Sequence, residues 1–191
     1  MMDTFKIALN PYKGPVSSEF AKYQCSDLQS AFDFIRYLPY GRNSDKSNLL
    51  TIFQDKKGTC STKHAVLKLL LDEQEFIGFQ LILGIFRMDE AFHSGVGEIL
   101  KQYQLPYIPE AHNYLKYQDE ILDFTNSDST PDKFRNKLIF EVPITPTQIT
   151  DYKVAKHKQM IQHWLDTEQW IPYNSDEIWD IREMCIRKLS D

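Results

Sequence analysis

Gly58-Thr59-Cys60-Ser61-Thr62-Lys63-His64-Ala65-Val66-Leu67-Lys68-Leu69-Leu70-Leu71 turns from polar to apolar within about one helical turn. Beyond that first turn its apolar residues are not confined to one stripe. A helix apolar on most sides is buried on more than one face, so this segment is expected at the centre of the fold, packed against a sheet. Upstream, Gln54 to Thr59 form a polar lead-in containing a glycine, after a short Leu49–Phe53 segment of undecided type and a polar surface loop from Arg42 to Asn48. Before that loop, Leu28, Ala31, Phe32, Ile35 and Leu38 recur at helical spacing. Ser26 or Asp27 is the expected N-cap and Pro39-Tyr40-Gly41 the stop.

Downstream, Phe76 to Met88 is rich in aromatic and branched residues and reads as a strand, with Leu81, Leu83 and Ile85 on one face. Gly95 to Gln104 is weakly helical and closed by Pro106 and Pro109. Ala111–Tyr117 and Glu120–Thr125 read as two short strands around Gln118-Asp119, and Lys137–Val142 as another after a polar loop. Helices are expected from Asp151 to Gln169 and from Ser175 to Leu189. The expected fold class is therefore α+β: a central helix carrying Cys60 packed on an antiparallel β-sheet, with further N-terminal and C-terminal helices. Residues 1–191 are expected to form one domain, with 151–191 as its C-terminal helical extension.

The whole chain sets the outer bounds. Its 191 residues, 42% hydrophobic and 26% charged, suit one compact domain with a substantial core, and the 13% aromatic content opposes disorder. Cys25, Cys60 and Cys185 are an odd, widely spaced set without a CxxC pair, so neither a disulfide framework nor a zinc ribbon is expected and reducing cytosol is the expected compartment. The N-terminus lacks a basic region followed by a sustained apolar run, so no secretion signal is expected. Gly78, Gln80 and Gly84 interrupt the longest apolar stretch, and no membrane span is expected. A net charge of -5 disfavours nucleic acid as a partner. No cofactor and no metal site is expected, since a zinc set built from Cys60 and His64 lacks two further ligands.

Cys60 opens the central helix after Gly58. A helix N-terminus favours a thiolate through its N–H groups and dipole, and the same N–H groups can stabilise an oxyanion on an attacked carbonyl. Cys185 falls on the apolar stripe of the last helix and Cys25 precedes an N-cap with no dipole behind it, so neither is assigned a chemical role. His112 and Asp123 sit on the two short strands. With an even loop of two or four residues, Tyr114 lies opposite Asp123 and His112 opposite Thr125. His112 and Asp123 then share a face as diagonal neighbours, roughly 7–8 Å apart between backbones. An acid between Leu122 and Phe124 is costly to bury alone, and a histidine partner offsets that cost. Among the other histidines, His64 points along the helix core, His93 lies in a solvated loop, and His157 and His163 are expected on the surface or packing edge of a Lys-rich helix.

These residues resemble the transglutaminase-like superfamily of cysteine proteins. The resemblance runs from about Leu49 to Thr125 and rests on Gly58-Thr59-Cys60-Ser61-Thr62-Lys63-His64-Ala65, His112-Asn113-Tyr114-Leu115-Lys116-Tyr117 and Ile121-Leu122-Asp123-Phe124-Thr125. It implies Cys60 as nucleophile, His112 as general base and Asp123 as the residue that orients the base. Asn113-Tyr114 stands where the family more often has a small residue and a tryptophan. Gln54, six residues before Cys60, has the spacing of an oxyanion-hole glutamine in papain-like enzymes, but a surface position is the expectation for it.

The expected activity is a thiol-dependent hydrolase that acts on an amide or ester through an acyl-Cys60 intermediate, with a peptide, a protein or a small amide as substrate. An amine acceptor in place of water gives an acyltransferase or cross-linking enzyme. A third possibility is a non-catalytic interaction module that binds protein or peptide through Tyr107, Tyr114, Tyr117 and the C-terminal aromatic helices.

Overall fold

The computed structural model describes residues 5–188. In chain order the helices are α1 (Pro15–Lys22), α2 (Leu28–Tyr37), α3 (Thr51–Asp55), α4 (Cys60–Glu73), α5 (Ser94–Gln102), α6 (Asp151–Thr167) and α7 (Ser175–Lys188). The strands β1 (Phe79–Met88), β2 (Ile108–Tyr117), β3 (Glu120–Leu122) and β4 (Leu138–Ile144) form an antiparallel sheet in the order β3-β2-β1-β4. The class is α+β, as the alternation of helical and strand periodicity implies.

Two compact units organise these elements: residues up to Ile82 with Asn113–Thr130 and Pro143–Thr150, and Leu83–His112 with Pro131–Val142 and the residues from Asp151 on. The first is built around α4. Cys60 through Leu67, then Leu70 and Leu71, are all buried, including the polar Ser61, Thr62, Lys63 and His64. Helices α1 and α2 and a 3₁₀ turn at Pro146–Ile149 pack on it. A ring cluster of Phe20, Tyr23, Phe34 and Phe53 fills the flank, with Phe20 and Phe53 edge to face at 5.1 Å. In the second unit α7 packs on both α5 and α6.

Helix stops explain where the elements differ from their expected bounds. Gln24, Glu75 and Gln104 take left-handed φ of 60°, 60° and 54°. Each is followed by an apolar residue, Cys25, Phe76 or Leu105, whose N–H bonds back to Phe20, Leu71 or Leu100. This is the Schellman closure of α1, α4 and α5, with a long polar residue where glycine is usual. It consumes Gln74 to Phe76, so β1 begins at Phe79 rather than Phe76. Helix α1 itself was not expected. Gly14 at its start offers no side-chain cap, and the cap arrives from α4: Glu73 accepts the N–H of Val16 at 3.0 Å and of Ser17 at 2.6 Å. A Cβ on Gly14 would stand 2.2 Å from the Glu73 carboxyl carbon, so the glycine makes room for this cap.

Candidate active site

Cys60 is the first residue of α4, and the helix start is braced on both sides. Thr59 and Thr62 form a reciprocal capping box, Thr62 Oγ1 donates to Asn43 Oδ1 at 2.7 Å, and Asn43 donates to the Lys57 carbonyl at 2.8 Å. Next to Cys60, Ser61 Oγ donates to Asn113 Oδ1 at 3.0 Å while Asn113 Nδ2 donates to the Ile82 carbonyl at 2.9 Å. One fully buried amide on β2 thereby links the start of α4 to β1. Gly58 has no left-handed backbone role. A Cβ there would lie 3.0 Å from Lys63 Cγ and 2.9 Å from Ile52 Cδ1, so glycine gives the clearance for the Lys63 stem.

The hairpin between β2 and β3 has a two-residue turn, Gln118-Asp119, with Tyr117 paired to Glu120, Lys116 to Ile121 and Leu115 to Leu122. This is the even loop on which the sharing of a face by His112 and Asp123 depends. The ladder ends at Leu122, one residue short of Asp123. Asp123 is buried, and its Oδ1 accepts both the N–H of Thr125, at 3.0 Å, and the Thr125 hydroxyl, at 2.6 Å. Arg36 reaches the same turn from α2, lying 5.2 Å over the Phe124 ring and donating to the Asp123 carbonyl at 3.1 Å.

His64 lies closer to Asp123 than its helix position implies, with Nε2 3.6 Å from Oδ1. Yet its ring is already committed. The Phe124 N–H donates to Nε2 at 2.8 Å, so Nε2 carries no proton and Nδ1 donates to the Cys60 carbonyl, also at 2.8 Å. Both nitrogens serve the backbone. This neutral ring ties the start of α4 to the end of the hairpin and has no lone pair left to act as a base.

Lys63 is the residue that sequence reasoning passed over. It is 0% exposed, yet carries an ammonium whose Nζ donates to the carbonyls of Leu38 and Thr125, the latter at 2.7 Å. Burial pushes its pKa down to about 8, against the opposing attraction of Asp123 and Cys60. Cys60 and Asp123 are thus the two predicted site residues gathered around one buried cation. The signal was present in the sequence, because Lys63 lies on the stripe of Cys60, Leu67 and Leu70 that heads into the core.

His112 belongs to the second unit. It is buried, with its ring edge-on to Phe134 at 4.9 Å and to Phe86 at 6.3 Å. Two residues earlier on β2, Glu110 is held by Arg182 of α7, while His157 of α6 donates from Nε2 to the Pro109 carbonyl at 2.7 Å. Burial favours the neutral Glu110 carboxyl, but the Arg182 guanidinium, its hydrogen bonds, His157 and Lys153 outweigh it and hold the pKa down at about 2. His157 was expected on the helix surface or edge; it is buried, and burial lowers its pKa despite the pull of Glu110. His163 and His93 are exposed, the latter capping α5 by accepting the Gly95 N–H. Gln54 is exposed.

Cys25 and Cys185 are buried, and burial pushes both thiols up to about 11, helped by Asp27 and by Glu110 respectively. Among the described residues no helix is long and apolar enough to cross a membrane.

No family model, curated protein or solved structure matches this chain. The functional reading therefore rests on the residues themselves.

Proposed function

We propose that this protein is a thiol hydrolase that cleaves an amide or ester through an acyl intermediate on Cys60, with His112 as general base and acid and Asp123 as the group that orients it. The observation that carries this reading is the placement of Cys60 at the first residue of a buried helix, with a buried cation and a buried carboxylate around it. The helix start and the Lys63 ammonium both favour an anionic sulfur, while burial disfavours one at Cys25 and Cys185. The even turn of the hairpin supports the pairing of His112 with Asp123.

In this mechanism His112 takes the Cys60 proton as sulfur attacks the substrate carbonyl. The oxyanion faces the first-turn N–H groups of α4. Collapse expels the amine or alcohol, which takes the proton from His112 and leaves a thioester on Cys60. Water then attacks the thioester and gives a proton to His112, and collapse releases the acid and the Cys60 sulfur, which takes that proton back and restores the thiol and the neutral imidazole. Asp123 stabilises the imidazolium in both half-reactions. Water is taken as the acceptor because acyl transfer to an amine needs a second binding site that excludes water, and no motif in the sequence identifies one.

The test is a screen with fluorogenic acyl-amide, acyl-ester and glutamine-containing peptide probes on wild type, Cys60→Ala and His112→Ala. Turnover that vanishes in both variants supports the reading, and burst release of the leaving group marks the acyl intermediate. Turnover that survives Cys60→Ala, or a wild-type Cys60 that iodoacetamide labels at pH 6 no faster than Cys25 and Cys185, overturns it.

A further inference from the structure

Among the described residues, the interior around α4 holds a charge that the proposed triad does not use: Lys63. Lys63 lies three residues after Cys60, a spacing that puts both side chains on one side of the helix. A lysine with no exposed surface is costly to bury, and a buried polar group is retained only where it has partners. Its two carbonyl partners come from separate stretches of chain. Leu38 ends α2, and the segment after it is tied to the approach to Cys60: the Gly58 N–H donates to the Pro39 carbonyl at 3.1 Å and the Gly41 N–H to the Gly58 carbonyl at 3.2 Å. Thr125 is the residue whose N–H and hydroxyl hold Asp123 Oδ1. Lys63 thus joins the approach to the nucleophile with the turn that carries the orienting carboxylate.

We infer that Lys63 is a positioning residue for the chemistry of Cys60: its buried ammonium clamps the Asp123–Thr125 turn and the Leu38 segment to the first turn of α4 and, while protonated, sets a positive charge on the Cys60 side of the helix. The inference rests on the proposed thiol chemistry and deepens it. The charged and titratable groups around Lys63 are Cys60 and His64 on its own helix, Asp123 on the turn after β3, and Arg36 from α2, which reaches that same turn. Of these, His64 is neutral and committed to backbone, and Arg36 bonds the Asp123 carbonyl oxygen. Lys63 is thus a cation whose attraction acts on the sulfur, and that attraction acts equally on both partners. A neutral replacement removes a thiolate-favouring charge as well as the clamp.

The experiment follows the rate of iodoacetamide labelling of Cys60 from pH 5 to 9 by peptide mass spectrometry, in wild type and Lys63→Met, with circular dichroism and thermal melting to establish folding. The expected result is a labelling midpoint about one pH unit higher in Lys63→Met and labelling about tenfold slower near pH 6.5. An unchanged midpoint in a folded variant overturns the role of Lys63 while leaving fast labelling of Cys60 intact. Slow labelling of Cys60 in wild type, no faster than Cys25 or Cys185, overturns the thiol reading itself. A second measurement needs only the wild-type chain. In lysine 13Cε NMR the resonance that titrates near pH 8 is followed before and after Cys60 is capped by the neutral carbamidomethyl group. Loss of the thiolate is expected to lower that titration by half a unit or more, roughly threefold in the proton-binding constant. No change on capping overturns the inference.

Discussion

Arg182 closes on Glu110 through two parallel hydrogen bonds, Nε to Oε2 and Nη2 to Oε1, each 2.7 Å. Glu110 is buried and Arg182 partly so, and Arg182 also lies 5.2 Å over the Trp179 ring, so its guanidinium is held on its face as well as its edge. This joins α7 to β2 two residues from His112. Replacing Arg182 with Met leaves the Glu110 carboxylate in the interior without its main partner. Such a loss costs about 3–5 kcal/mol. Urea denaturation is the measurement, and a change below ~1 kcal/mol contradicts the assignment.

Acid is expected to loosen the second unit in two stages. His157 has a folded-state pKa below its ordinary 6.5, because burial opposes its charged form. Its contribution to stability is full above that pH and is lost as pH falls and the unfolded chain binds the proton first. Glu110, at about 2 against an ordinary 4.5, contributes fully above 4.5 and loses its contribution as pH falls from there towards 2. Stability should therefore fall first below pH 6.5 and again below 4.5. His157→Gln is expected to flatten the first limb and preserve the second. The same fall between pH 6.5 and 5 in both proteins contradicts the role of His157.

The three Schellman stops each carry a residue better suited to be glycine. Gln24, Glu75 and Gln104 carry left-handed φ at a cost that a Cβ imposes and glycine avoids. Gln24→Gly, Glu75→Gly and Gln104→Gly are each expected to stabilise the fold by about 0.5–1 kcal/mol, with additive effects because the sites share no partners. Thermal melting of the single variants and of the triple variant checks both statements.

His64 is expected to hold its proton on Nδ1, with Nε2 accepting from the Phe124 N–H. Long-range 1H–15N NMR distinguishes the two tautomers directly. A proton on Nε2 contradicts the bond to Phe124 and reopens His64 as a base facing Asp123.

Much of this arrangement was legible in the chain because it depends on local rules. Cys60 heads a helix because Thr59 and Thr62 cap it, and a two-residue turn sets hairpin parity whatever packs against it. What was missed has partners distant in sequence. The place of Lys63 on the inward stripe of α4 was visible, but its partners are carbonyls 25 and 62 residues away, which leave no mark on side-chain identity. His157 sits in a helix whose polar composition suggests exposure, and its partners lie elsewhere in the chain: the Pro109 carbonyl, 48 residues earlier, the Glu110 carboxylate and the Trp179 ring. The stops of α1, α4 and α5 lack glycine, so the usual punctuation was absent. The remaining clue was an apolar residue after the last polar one.

The cap on α1 has a consequence for how the chain is made. Helix α1 is only eight residues long, too short to persist in water on its own, and the carboxylate that satisfies its first N–H groups is Glu73, at the far end of α4. On the ribosome, the stretch from Pro15 to Lys22 therefore has to wait unstructured until more than fifty further residues have been synthesised. Helix α1 thus depends on the completion of α4, which follows it in the chain.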